Sequence, residues 1–181
     1  YLGTTVDLES DGQPDADAGE LDGGDDSSED DDEDGVTEPA MIFQGETAVF
    51  QLSVVNKSAS TAYVYGYIDW NNDDDFNDAE EIQFGTVAAN TNTLLSLTFN
   101  VPINATINTD LGARFRIGTV QDQIDQATGL ATDGEVEDYQ VNIVNTQFSI
   151  NDVSVLEGNA GTTNLTFTIT RTVNANACSV D

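Results

Sequence analysis

Residues 69–80 read Asp69-Trp70-Asn71-Asn72-Asp73-Asp74-Asp75-Phe76-Asn77-Asp78-Ala79-Glu80. Set against the twelve-residue calcium loop, oxygen-bearing side chains fall at positions one, three, five, seven, nine and twelve: Asp69, Asn71, Asp73, Asp75, Asn77 and Glu80. Calcium takes six to eight hard oxygens at about 2.3–2.6 Å, and alternate residues of a curling loop supply them from one side. The apolar Phe76 at position eight fits the same template. Asp74 stands at position six, where glycine ordinarily permits the sharp turn; aspartate tolerates unusual backbone angles better than most residues. The competing reading is a solvated acidic turn. An alternating run precedes the loop rather than a helical one, so this is a calcium loop in a β context.

Two further clusters carry carboxylates at useful spacing. In Asp7-Leu8-Glu9-Ser10-Asp11-Gly12-Gln13-Pro14-Asp15-Ala16-Asp17 acids recur at spacing two, then Gly12 and Pro14 shape a turn before Asp15 and Asp17. Downstream, 29–34 is wholly acidic. Six consecutive acids cannot all face one ion, so Asp30, Asp32 and Asp34 are the candidates there. The third cluster is Gly134-Glu135-Val136-Glu137-Asp138-Tyr139. With a period of two, Glu135 and Glu137 share one face of a strand while Val136 and Asp138 share the other. At a strand's start both sets can reach a neighbouring loop, although alone this is an ordinary strand entry.

The charge balance decides what these clusters must do. The 181 residues carry 34 acidic and 4 basic side chains, no histidine and one cysteine, for a formal net charge of -30. Nucleic acid and anionic membrane surfaces are poor partners for such a chain. Histidine-based triads and histidine-ligated metals are excluded, as is an internal disulfide. No apolar run approaches the roughly 18 residues of a spanning helix. Residues 1–40 hold 16 of the carboxylates and no basic residue. Two unit charges about 4 Å apart repel by roughly 4 kcal/mol at an effective dielectric near 20. Four basic residues cannot offset that repulsion, so divalent cations are the expected compensation. A self-repelling acidic tail, or general halophilic acidity, is the alternative; the latter predicts dispersed charge, whereas here the acids bunch.

The elements that position these residues are strands. Short alternating runs occupy 41–43, 48–55, 62–68, 81–88, 94–101, 113–119 and 136–144, separated by Gly, Asn or Asp. Without any helical stripe, this predicts an all-β fold, an antiparallel β-sandwich with acidic loops. Residues 1–40 are expected to be an acidic calcium-binding segment belonging to the sandwich of 41–146. Alternation restarts at 148–150, 153–155 and 165–169, which reads as part of a second sandwich over 147–181, because two or three strands bury no core alone. Arg114 and Arg116 share a strand face and should pair with carboxylates. Tyr63, Tyr65 and Tyr67 also share one, as sandwich packing or as a sugar-stacking platform.

The motifs also resemble known families. The hexapeptide at 134–139, with Leu2-Gly3-Thr4-Thr5-Val6-Asp7, Asp31-Asp32-Glu33-Asp34-Gly35-Val36, Tyr67-Ile68-Asp69-Trp70-Asn71 and Arg114-Phe115-Arg116-Ile117 in order, resembles the GEVED domain family across 1–144. That resemblance implies a β-module of bacterial surface proteins, often within long multidomain chains, with no known catalytic chemistry. Residues 7–17 are similar to thrombospondin type 3 calcium repeats, with Glu9 as the departure. Ile150-Asn151-Asp152-Val153-Ser154-Val155-Leu156-Glu157-Gly158 and Gly161-Thr162-Thr163 resemble the start of a Calx-beta repeat. This resemblance makes Glu157 a further candidate ligand.

The expectation is therefore a calcium-stabilised structural module of a bacterial extracellular adhesin or fibre, secreted or at the cell surface, and not an enzyme. Several calcium ions would be held by Asp7, Glu9, Asp11, Asp15, Asp17, Asp30, Asp32, Asp34, Asp69, Asn71, Asp73, Asp75, Glu80, Glu135, Glu137 and Asp138. The expected partners are further copies or neighbouring modules, meeting head-to-tail through strand pairing, and surface glycans. The alternative is a calcium-dependent carbohydrate-binding module; a hydrolase built on an Asp/Glu pair ranks last.

Overall fold

The structure, a computed structural model, describes residues 1–4, 34–144, 148–156 and 158–171. The chain forms two compact units, Tyr1–Val144 and Asn145–Asp181. The first contains β1 (Val36–Thr37), β2 (Ile42–Phe43), β3 (Thr47–Asn56), β4 (Ala62–Ile68), β5 (Ile82–Val87), β6 (Thr91–Asn100), β7 (Asp110–Gly118) and β8 (Glu135–Val144). Short 3-10 turns at Ala79–Glu81 and Gln121–Gln123 are the only helical turns among the described residues. The fold is all-β, as the alternation predicts.

Two sheets result. One has the order β1-β3-β6 and the other β2-β8-β7-β4-β5. All pairings are antiparallel except β2, which runs parallel to β8 through Ile42↔Ile143 and Phe43↔Val144. Period two sends Ala48, Phe50, Leu52 and Val54 of β3 inward to meet Val64, Phe115, Ile117, Val141 and Ile143 of the larger sheet. Phe50 lies 5.5 Å from both Phe99 and Phe115, and every one of these rings is fully buried. Each such side chain contributes about 1.5–3 kcal/mol through burial. β6 begins at Thr91, three residues before its apolar alternation. The polar Thr91, Asn92 and Thr93 pair with Asn56, Val55 and Val54, so ladder bonding carries the strand where patterning does not.

The outer edge of β3 is covered in two pieces. Gly3 N donates to Ser53 O, Val55 N to Tyr1 O, and Ser53 N to Gly35 O, each at 2.8 Å. Residues 1–3 and 35–37 thus act as two halves of one edge strand, interrupted by the acidic segment. Thr4 N donates to Asp34 Oδ1 at 2.8 Å where the halves meet. Gly35 is required here: a Cβ would lie 2.4 Å from Leu2 Cβ and 2.6 Å from Gly3 N.

The outer face of the larger sheet carries Tyr65 and Tyr67, 6.1 Å apart and stacked, beside Arg114 and Arg116. Residues 119–134 pack over it. Tyr67 Oη donates to Ile124 O at 2.7 Å, and Arg116 donates to the carbonyls of Gln126, Thr128 and Gly129. Burial pushes the Tyr67 phenol well above its ordinary pKa. The tyrosine rings are therefore packing elements, with only Phe84, stacked on Tyr65, exposed at the end of the ladder.

In the second unit β9 (Phe148–Ile150) pairs antiparallel with β10 (Ile169–Arg171). Of the strand expected over 165–169 only Ile169 lies in β10, which runs on to Arg171. Phe148, Ile150, Leu165, Phe167 and Ile169 are all exposed within this unit.

Candidate metal centre

The loop between β4 and β5 is organised around Asp69. Its amide donates to Gly112 O at 3.0 Å, which fixes the end of β4 against β7. Its carboxylate then receives the following backbone. Oδ1 accepts from Asn72 N at 2.6 Å and Asp73 N at 3.2 Å, and Oδ2 accepts from Asp74 N at 3.0 Å. These bonds curl the chain, and Asn72 (φ 59°) and Asp74 (φ 67°) take the left-handed conformation that the curl demands. Asp74 thus does at position six what glycine ordinarily does. Buried Trp70 packs edge-on against Phe99 at 5.9 Å, and its carbonyl accepts from Thr106 N at 2.7 Å. Phe76 lies 6.0 Å from Tyr67, so the apolar eighth position anchors the far side.

The curl gathers carboxylates. One ligand oxygen each from Asp69, Asp73 and Glu81 lie within 4.8 Å of one another. Asp69 is 6 % exposed and Glu81 is 1 % exposed, whereas Asp73 is on the surface. Three carboxylates at this separation repel by about 3–4 kcal/mol per pair at an effective dielectric near 20. Burial, reinforced by the charges of Asp69, Asp78 and Asp73, pushes the Glu81 carboxyl up to about 7, against the lowering effect of the Asp78 backbone bond. Glu81 Oε2 accepts from Asp78 N at 3.0 Å, while its buried Oε1 has no hydrogen-bond partner. A buried acceptor of this kind is costly unless a donor or a cation faces it. Nearby, Asn71 Nδ2 donates to Asp73 Oδ2 at 2.9 Å and Asp78 Oδ2 at 3.1 Å, an amide wedged between two acids. The donor set is all-oxygen and suits a hard divalent cation.

The other expected ligands are placed differently. Asp75 is exposed, with Oδ1 accepting from Asn77 N, and stands outside the triad. The side chain of Glu80 lies outside the described residues, as do Asp7, Glu9, Asp11, Asp15, Asp17, Asp30, Asp32 and Glu157. Asp34 closes the base of the acidic segment through both Thr4 N and Thr4 Oγ1. Glu135 and Glu137 point inward, opposite Ile117 and Phe115, as period two requires. Glu135 Oε2 accepts from Leu2 N, and Glu137 Oε2 accepts from Tyr139 Oη at 3.0 Å. Asp138, on the opposite face, is engaged by Arg114: Nε reaches Oδ1 at 2.7 Å and Nη2 reaches Oδ2. Both its oxygens thus serve a buried ion pair, because the outer face of β8 lies directly beside Arg114 on β7. Sequence reasoning missed Glu81 and Asp78. Their signal was present as an Asp followed three residues later by a Glu, the spacing of a capping box at the 3-10 turn.

Residues 63–142 match the family model of the GEVED domain. This span runs from the start of β4 nearly to the end of β8 and includes the whole acidic triad. The match does not extend to 7–17 or 148–171, where the thrombospondin type 3 and Calx-beta resemblances remain expectations from the sequence. No curated protein matches the chain.

Proposed function

We propose that this chain is a calcium-stabilised structural module of an extracellular adhesin or fibre, displayed among neighbouring β-modules at a cell surface. The observation that carries the reading is the triad of Asp69, Asp73 and Glu81, in which Glu81 is buried and keeps one oxygen without a hydrogen-bond partner. A hard divalent cation there would cancel the repulsion and tie the β4–β5 loop to the start of β5. Extracellular calcium is millimolar, so sites with dissociation constants of roughly 10⁻⁴–10⁻³ M would be largely filled there. Filled sites stabilise the folded chain by mass action, because the unfolded chain cannot assemble them. The GEVED match supports a β-module with a structural role. Further ions among the acids of 7–34 and pairing of the β9–β10 hairpin with another copy or a neighbouring module belong to the same reading.

Single-molecule pulling of the intact chain tests it. Calcium should raise the unfolding force of the first unit above its value in EGTA. Equal forces in both buffers, or capture of a specific polysaccharide on a glycan array, would replace the structural-module reading with another.

A further inference from the structure

We infer that Glu81, one residue beyond the twelfth loop position, is the carboxylate that closes the cation site, and that Asn71 holds the site's place until an ion enters, an inference that rests on the calcium reading of this loop. In a helix-flanked calcium loop the twelfth residue opens an α-helix and turns its carboxylate back to the ion. Here the loop ends in a single 3-10 turn, Ala79–Glu81, and passes straight into β5. A 3-10 turn advances three residues per revolution. Asp78 and Glu81 therefore stand on one side of it, and Glu81 N donates back to Asp78 O at 3.1 Å.

The orientation of Glu81 is that of a ligand held by its surroundings. Asp78 N fixes Oε2 at 3.0 Å, Oε1 is buried and without a hydrogen-bond partner, and one carboxylate oxygen of Glu81 lies within 4.8 Å of oxygens of Asp69 and Asp73. Fixing one oxygen so that the other faces the ion is how supporting hydrogen bonds orient metal ligands. Asn71 supplies the second half of the inference. Its Nδ2 bridges Asp73 and Asp78, bringing a partial positive charge between two acids. Asn71 Oδ1 accepts from Asp73 N at 3.0 Å, so a cation that takes over the Nδ2 role gains Oδ1 as the third-position ligand only if that bond is shared or given up.

The test uses the intact chain stripped with EGTA and terbium as the probe, excited through Trp70, the one tryptophan, which lies between Asp69 and Asn71 in the chain. Calcium then competes the terbium away. Glu81→Gln should weaken calcium by about tenfold or more, the scale of losing or misorienting a metal ligand, while Glu80→Gln should change it by less than about twofold. Glu81→Gln keeps the size of the side chain and the acceptor for Asp78 N. In EGTA it should melt no lower than the wild type, because it removes a repelled charge; a purely structural Glu81 would lower melting in EGTA as well. Weakening by Glu80→Gln with no effect of Glu81→Gln would overturn the ligand assignment while leaving the calcium reading intact. Absence of terbium emission through Trp70 in the wild type would overturn both.

Discussion

Arg114 and Asp138 offer a test of whether the acidic strand-entry motif is partly structural. Both residues are buried, at 0 % and 9 % exposure, and the guanidinium holds both carboxylate oxygens as well as Ala127 O at 3.1 Å. Replacing one member of a buried pair strands the other charge, which costs about 3–5 kcal/mol. Arg114→Met alone and Asp138→Leu alone should each lose that much. The double variant removes both charges together and loses chiefly the bond to Ala127, about 1–2 kcal/mol. The coupling between the sites should therefore be roughly 4 kcal/mol or more. Urea unfolding of the four proteins in saturating calcium measures it, with bound calcium counted for each. Single losses that add in the double variant would refute the pairing. A fall in bound calcium in the folded double variant would return Asp138 to the list of metal ligands.

Two further outcomes follow from named atoms. Gly134 sits at φ 115°, and an added Cβ would lie 1.8 Å from Ile117 O. Gly134→Ala should therefore disturb the start of the β7–β8 pairing and lower stability by about 3–4 kcal/mol, read as a melting shift of roughly 6–15 °C; an unchanged melting temperature would contradict the geometry. The second concerns pH in the presence of EGTA. Folding raises the Glu81 carboxyl from its ordinary 4.5 to about 7. A carboxyl raised by folding contributes stability that is complete below about 4.5 and lost as pH climbs through about 7. Chelated protein should lose up to about 3 kcal/mol over that window through this group, and Glu81→Gln should flatten the profile by that amount. Identical profiles for the two proteins would refute the burial and repulsion assigned to Glu81.

Much of the fold is legible in the sequence because apolar residues alternate along its strands, most cleanly in β3, even though β4 and β7 are buried on both faces. The inward Phe50, Leu52, Val64, Phe115 and Val141 stand at even spacing within their own strands. The start of β6 is not legible this way, since Thr91, Asn92 and Thr93 are held by pairing to β3 and not by burial. The β4–β5 loop is readable from its oxygen spacing, and Asp74 adopts the backbone angle that the loop template requires at that position. The template places its last acid at Glu80, whose side chain lies outside the described residues, and leaves out Glu81, which the 3-10 turn leading into β5 brings to the cluster. The roles within Glu135–Asp138 needed three dimensions: alternation separates the two faces, but only the strand order shows Arg114 beside Asp138 and Leu2 above Glu135.

The central claim is that divalent cations hold these carboxylates together, and thermal melting of the dialysed chain in calcium and in EGTA tests it most directly, with metal analysis of the same sample. Calcium at about a hundredfold over its dissociation constant should add roughly 2.7 kcal/mol, a rise of about 5–10 °C, and protein dialysed to equilibrium against calcium buffer should hold calcium in excess of that buffer. Coincident melting curves together with no calcium in excess of the buffer would contradict the account.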